Sequence, residues 1–171
     1  MTGSMSSPFE MQAVNAEKLS ACERERFVEL VIKGSEVGGG ALATNISNAK
    51  ILVVIREQGV IHGVGALKRP QGTYRKKVAE KAALELDEGA YPYELGYIFF
   101  EDGLRGKGLS HDLVAEALKH SDNEGVFATV RTDNIEMRAT LDRAGFASAG
   151  QTYPGSNEGT TIGVLIRPPG E

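Results

Sequence analysis

The chain has no tryptophan, a single cysteine and three histidines. Cys22 alone cannot close an internal disulfide or build a cysteine-rich zinc site. The histidines, His62, His111 and His120, lack metal-ligand spacing, so no metal is expected. Basic residues do not dominate either: 19 Lys and Arg face 23 Asp and Glu, for a formal net charge of −4. That balance argues against a general nucleic-acid binder. No apolar run approaches the roughly 20 residues of a membrane span. The N-terminus lacks the charged and apolar regions of a signal peptide. A cytoplasmic protein with no nucleic-acid or membrane partner is the expectation.

What is present suits one domain with a sizeable core: 171 residues, of which 41% are hydrophobic and 25% charged. Residues 1–9 read as an N-terminal tail, with Met1 to Ser4 a cloning scar ahead of a start at Met5, and 10–171 as the domain. Ser20 and Glu23 have capping-box spacing, and Phe27, Leu30 and Val31 follow at helical intervals up to a stop at Gly34. Cys22, in the first turn of this helix, reads as an idle thiol. "GSEVGGGALATNISN" reads as a loop with a short helical turn. "KILVVIRE" and "VIHGVGALK", joined by Gln58 and Gly59, form a hairpin pattern, with His62 a strand histidine. Tyr74, Val78, Ala82 and Leu86 mark a helix whose Arg75, Lys76, Lys77 and Lys81 read as a solvated face. Beyond it lie a strand at "YPYELGYIFFED", a helix from Leu109, a strand at "GVFATVRT" and a helix with Asp133 and Glu136 at capping-box spacing and a stop at Gly145. A terminal strand pair closes the chain. The order is helix, two strands, helix, strand, helix, strand, helix, two strands: a mixed α/β domain.

"GLRGKGLSHDLV" sets three glycines and two cations directly before a helix. Glycines allow close backbone approach, and a helix start offers unpaired N–H groups and a positive dipole end, so the stretch suits a phosphate. It is not a Walker A loop, because Leu109 and Ser110 stand where Lys-Ser is required. A dinucleotide fingerprint also fails, with His111 in place of its third glycine.

The stretch instead resembles the acetyl-CoA signature of the GNAT superfamily, [Gln/Arg]-x-x-Gly-x-[Gly/Ala], here Arg105-Gly106-Lys107-Gly108-Leu109-Ser110, with serine in the last place. "ELGYIFFEDGLRGKGLS" resembles that family's strand, pyrophosphate loop and helix in one run, and "NIEMRATLDRAGF" its second cofactor motif. The resemblance covers roughly residues 10 to 167 and implies a single-domain α/β (α+β) fold: a mixed, mostly antiparallel sheet of six to seven strands flanked by about four helices. It also implies acetyl-CoA as cosubstrate. By position Ile98, Phe99 and Phe100 would meet the pantetheine arm. The backbone of Gly106, Lys107, Gly108, Leu109 and Ser110 would bind the pyrophosphate, with charge from Arg105 and Lys107, and Asn134 would reach the cofactor or cap its helix.

Acetyl transfer to an amine requires removal of the ammonium proton. Glu94 heads the strand where many relatives keep a catalytic glutamate, and is expected to act as general base, directly or through water. The tyrosine that often serves as general acid is replaced by Leu141. Tyr153 is the candidate substitute. The expected activity is N-acetyl transfer to a primary amine. The runner-up is a CoA-binding sensor or partner-binding module without turnover. The acidic balance favours a small cationic amine or a basic peptide as acceptor. A homodimer is left open.

Overall fold

The computed structural model describes residues 8–34 and 41–170. The expected scar at Met1 to Ser4 and part of the loop after Gly34 lie outside the described residues.

Seven strands form one sheet in the order β1-β2-β3-β4-β5-β7-β6. They are β1 (Phe9–Val14), β2 (Ile51–Glu57), β3 (Val60–Lys68), β4 (Tyr93–Phe100), β5 (Val126–Arg131), β6 (Ala147–Pro154) and β7 (Thr161–Arg167). The helices are α1 (Ala21–Gly34), α2 (Leu42–Ser47), α3 (Gly72–Ala82), α4 (Leu109–Leu118) and α5 (Ile135–Arg143). All strand pairs are antiparallel except β4 with β5. This is the mixed, mostly antiparallel sheet expected.

The run "ILVVI" in β2 is apolar without interruption because both of its faces are covered. Ile51, Val53 and Ile55 join the core under α4 and α5 with Leu113, Val114 and Leu141. Leu52 and Val54 point the other way, onto Phe27, Leu30 and Val31 of α1. A third cluster ties α3, through Val78 and Ala82, to Phe127 of β5 and Val164 of β7.

Three expectations need correction. The sequence pattern predicts no strand before the first helix, yet Phe9–Val14 forms one, starting at the last residue of the expected tail. As an edge strand it buries only alternate residues, so its apolar signal is short. The helical stripe from Tyr74 does not extend to Leu86, because Ala83 enters the left-handed region at φ 52 and ends α3; Leu86 is buried from the loop beyond. Arg75 does not belong to a solvated face. It is 7% exposed, and its guanidinium donates to the carbonyls of Leu86, Tyr91 and Pro92.

The helix caps follow local chemistry. Ser20 Oγ accepts from Glu23 N at 3.1 Å. For α5 the cap is Asn134, not Asp133: Asn134 Oδ1 accepts from Met137 N at 3.1 Å.

Candidate functional site

β4 and β5 pair only at Tyr93 with Val126 and at Glu94 with Phe127. Beyond that point the strands diverge. The cause lies on the other edge of β4. Val64 pairs with Phe99 and Ala66 with Gly96, so Tyr97 and Ile98 both stand opposite Gly65. This is a β-bulge, which bends a strand and sharpens its twist. Tyr97 takes φ 57, an unfavourable region for an aromatic residue. The fork left between β4 and β5 is a groove in two halves of about 450 and 390 Å³ that share Gly34, Ile98, Phe99, Asn134 and Met137.

The first half is bounded by the loop from Arg105 to Ser110. Gly106 and Gly108 hold φ 75 and 73, conformations that glycine adopts without strain. A Cβ added at either would meet no heavy atom within 4 Å. Gly108 is the N-cap of α4 and supplies no side-chain acceptor to its first N–H groups. Those donors therefore need an external acceptor. Arg105 is anchored by its Nε, which donates to Phe100 O at 3.0 Å, and its guanidinium lies 5.6 Å from the Phe99 ring centre. Ser110 in the last signature position has a partner: its Oγ lies 3.4 Å from Thr140 Oγ1 of α5. From the other side, the end of α1 closes on Phe99 so tightly that a Cβ at Gly34 would fall 2.2 Å from the ring. Gly34 thus does more than stop the helix.

Just below this half, Glu101 fastens α1 and β3 to the end of β4. Its carboxylate meets His62 Nδ1 at 2.6 Å, Lys33 Nζ at 3.0 Å and an Arg26 guanidinium nitrogen at 2.5 Å. The hydrogen bond to His62, then that to Lys33, hold the carboxyl down to about 2. His62 is the strand histidine expected from the sequence, and the structure adds its partner, Glu101.

The second half of the groove ends at Glu94, which is 2% exposed. Its Oε2 accepts from the Tyr74 hydroxyl at 2.8 Å. Its Oε1 lies 2.9 Å from Lys68 Nζ, the residue directly opposite it on β3. Burial is the largest single influence on the Lys68 ammonium and pulls it down, but the charges of Glu94 and Tyr97 and the hydrogen bond to Glu94 together outweigh it, and the group stands above its ordinary 10.5. Burial, then the Glu94 charge, push the Tyr74 phenol far above its usual range, so it remains a donor. Lys68 and Tyr74 were not among the residues expected from the sequence. An alternation of Lys68 with Ala66 on one face of β3 was a faint signal, but the pairing with Glu94 depends on register.

Of the expected residues, Ile98, Phe99 and Phe100 and all of Arg105 to Ser110 line the groove, as do Glu94 and Asn134. Tyr153 does not line either half. It packs beside Val78 and Phe127, with Lys81 Nζ 5.8 Å from its ring centre, and burial, then the Glu94 charge, raise its phenol. Leu141 is 2% exposed and belongs to the core at the groove floor. Cys22 is exposed. Among the described residues no group of three or more His, Cys, Asp or Glu could hold a metal ion. No helix among them is long and apolar enough to cross a membrane.

No family model and no curated protein matches the sequence. The structure does match solved proteins over nearly their whole length. An acetyltransferase of the GNAT family from Streptococcus pneumoniae superposes with a TM-score of 0.62 at 16% identity, over 93% of this chain and 99% of that one. An acyl-CoA N-acyltransferase from Pseudomonas aeruginosa gives 0.66 at 14%, over 93% and 99%. The yncA protein of Salmonella typhimurium, solved with its cofactor acetyl-CoA, gives 0.67 at 12%, over 96% of both chains. The chain has the fold of the GNAT acetyltransferases.

Proposed function

We propose that this chain is an acetyltransferase that moves the acetyl group of acetyl-CoA to a primary amine by direct attack, with Glu94 taking the ammonium proton, directly or through water. The observation that carries the reading is the fork between β4 and β5. It leads from a glycine-led, uncapped helix terminus at Gly108 to a buried carboxylate at Glu94.

The residues present suit the CoA group. The space over Gly106 and Gly108 leaves their backbone open to a pyrophosphate, and Lys33, Arg105 and Lys107 line the same half against one carboxylate, Glu136. On the β5 side, β4 has no ladder partner past Glu94, so its backbone groups are free to pair with an extended amide chain. When bound, acetyl-CoA supplies the activated acyl group. The chain's own residues do the rest. Ile98 and Phe99 wall the groove, and Tyr74 holds the Glu94 carboxylate in place through its hydroxyl. Glu94 takes the amine's proton at its oxygen, which is the step that makes the amine nucleophilic. Tyr153 lies outside the groove lining, and a coenzyme A thiolate is a fair leaving group, so no general acid is assigned.

The alternative, a CoA-binding module without turnover, draws support from Glu94 itself: Tyr74 and Lys68 already engage both of its oxygens. Thiol release from acetyl-CoA across a panel of primary amines separates the two. Amine-dependent release is expected. Tight CoA binding with no release on any amine would favour the module.

A further inference from the structure

Among the described residues, three charged side chains line the Glu94 half of the groove: Lys68, Glu94 and Arg131. Arg131 ends β5 and pairs with Asp133 at 2.8 Å. At the closed end there remain one ammonium and one carboxylate. The Lys68 stem lies along Gly96, where a Cβ would come within 3.1 Å of its Cδ. Its Nζ is then 2.9 Å from Glu94 Oε1, 4.2 Å from the Tyr97 ring centre and 5.5 Å from that of Tyr74. One carboxylate and two phenol rings make a box suited to an alkylammonium. Lys68 provides such a group from within the chain. Oε1 is in ion-pair contact with Lys68, but a carboxylate oxygen accepts more than one hydrogen bond, so it can take another donor.

An acceptor ammonium that reaches Glu94 must share or displace the Lys68 charge. Taking the counter-ion from a largely buried cation is strongly unfavourable. A plain alkylamine or a basic peptide would leave two cations against one carboxylate. An acceptor that brings its own anion would restore balance, with two charges of each sign. The Lys68 ammonium has three donors and needs only one for Glu94. Because Lys68 and Glu94 meet at a single point, the two charges of such an acceptor must be close together.

Resting on the acetyltransferase reading above, we propose that the acceptor is a compact zwitterion, a free amino acid, its ammonium directed to Glu94 and its carboxylate to Lys68. A compact zwitterion departs from the expectation of a small cationic amine or a basic peptide drawn from net charge, because the local pair is weighed above the long-range field.

The test is calorimetric binding, in the presence of CoA, of free L-amino acids and of the same amino acids as amides, which keep the ammonium and lose the anion. At least one amino acid is expected to bind roughly tenfold or more tighter than its amide. In Lys68→Gln, checked for folding by thermal melt, that preference is expected to fall to within about twofold. Amides that bind as well as the acids throughout, or no binding by any amino acid, would overturn the proposal on the unmodified protein alone. A preference retained in full by folded Lys68→Gln would remove Lys68 as the anion's partner and overturn it too. Thiol release is measured in parallel. Binding preference without release from acetyl-CoA would sink the transferase reading and leave the amino-acid site at Lys68 and Glu94 standing. Release with simple amines but no preference would do the reverse.

Discussion

The two ends of the groove are built by different means. At the glycine-rich end, six consecutive residues, Arg105 to Ser110, offer backbone donors and open space, and the side chain of Arg105 is 60% exposed. At the other end Glu94, Lys68 and Tyr74 come from three elements and meet at a carboxylate that is 2% exposed. A backbone site tolerates most side chains so long as nothing bulky or negative enters it. A buried side-chain site depends on single atoms, because each charge there relies on its neighbour in place of solvent. Substitutions at the two ends should therefore fail differently: one in cofactor affinity, the other in turnover.

The largest effect is expected from Glu94→Gln. It keeps shape and removes basicity, so kcat/KM should fall by roughly 10²–10⁴-fold. CoA affinity should change little. The loss should shrink as pH rises, because more of the amine arrives neutral. In Glu94→Gln the Lys68 ammonium loses the charge that raises it and keeps the burial that lowers it, so it can titrate within that window there, whereas in the parent it does not. In the parent its raised value means that its contribution is complete below 10.5 and lost only as pH climbs past the higher folded value. A steady-state pH series on both proteins measures this. A loss that does not vary with pH would make Glu94 a positioning residue. Removing one member of a buried pair also destabilises, so a thermal melt accompanies the kinetics.

Gly108→Glu attacks the other end. It sets a bulky anion where backbone must approach phosphate, at a φ of 73 that non-glycine residues adopt at a cost. CoA binding should weaken by about a hundredfold or more, given that several charge-assisted donors are lost together. The fold should persist, since nothing lies within 4 Å of the added Cβ. Isothermal titration with CoA, beside a far-UV spectrum, tests both halves. Unchanged affinity in a folded variant would end the assignment of the loop to pyrophosphate.

Two tyrosines sharpen the contrast within the buried end. Tyr74→Phe deletes the donor to Glu94 Oε2 and should lower kcat/KM by roughly tenfold, the scale of one hydrogen bond to a charged group. Tyr153→Phe should have little effect, because Tyr153 does not line the groove. A loss of about a hundredfold on Tyr153→Phe, the scale of one acid–base contribution, would restore it as the general acid.

The smallest effect concerns the clamp beside the loop. Glu101 is depressed from its ordinary 4.5 to about 2. A depressed carboxyl stabilises the fold fully above 4.5 and loses that contribution as pH falls toward 2. Urea midpoints of the parent and Glu101→Gln should thus differ most above pH 4.5 and converge as pH approaches 2. A gap that persists at pH 2 would mean that packing, not charge, is what Glu101 contributes.

Much of this molecule was legible in sequence where chemistry is local. Gln58 and Gly59, at φ 51 and 79, turn the β2–β3 hairpin. Ser20 caps α1, and Gly145, at φ 97, follows α5. The loop from Arg105 to Ser110 was recognisable for the same reason: its glycines, cations and helix start are adjacent along the chain. β1 escaped because an edge strand needs few buried residues. Arg75 was misread because a cation on a helix is solvated unless carbonyls from elsewhere, here Leu86, Tyr91 and Pro92, converge on it. The sequence by itself determined the helices, the hairpin and the glycine-rich loop from Arg105 to Ser110, each set by residues within a few positions of one another. Tertiary structure alone decided that a bulge at Tyr97 would open the sheet and that Lys68 and Tyr74 would close on Glu94. Those depend on strand register and on helix placement, which no local pattern encodes.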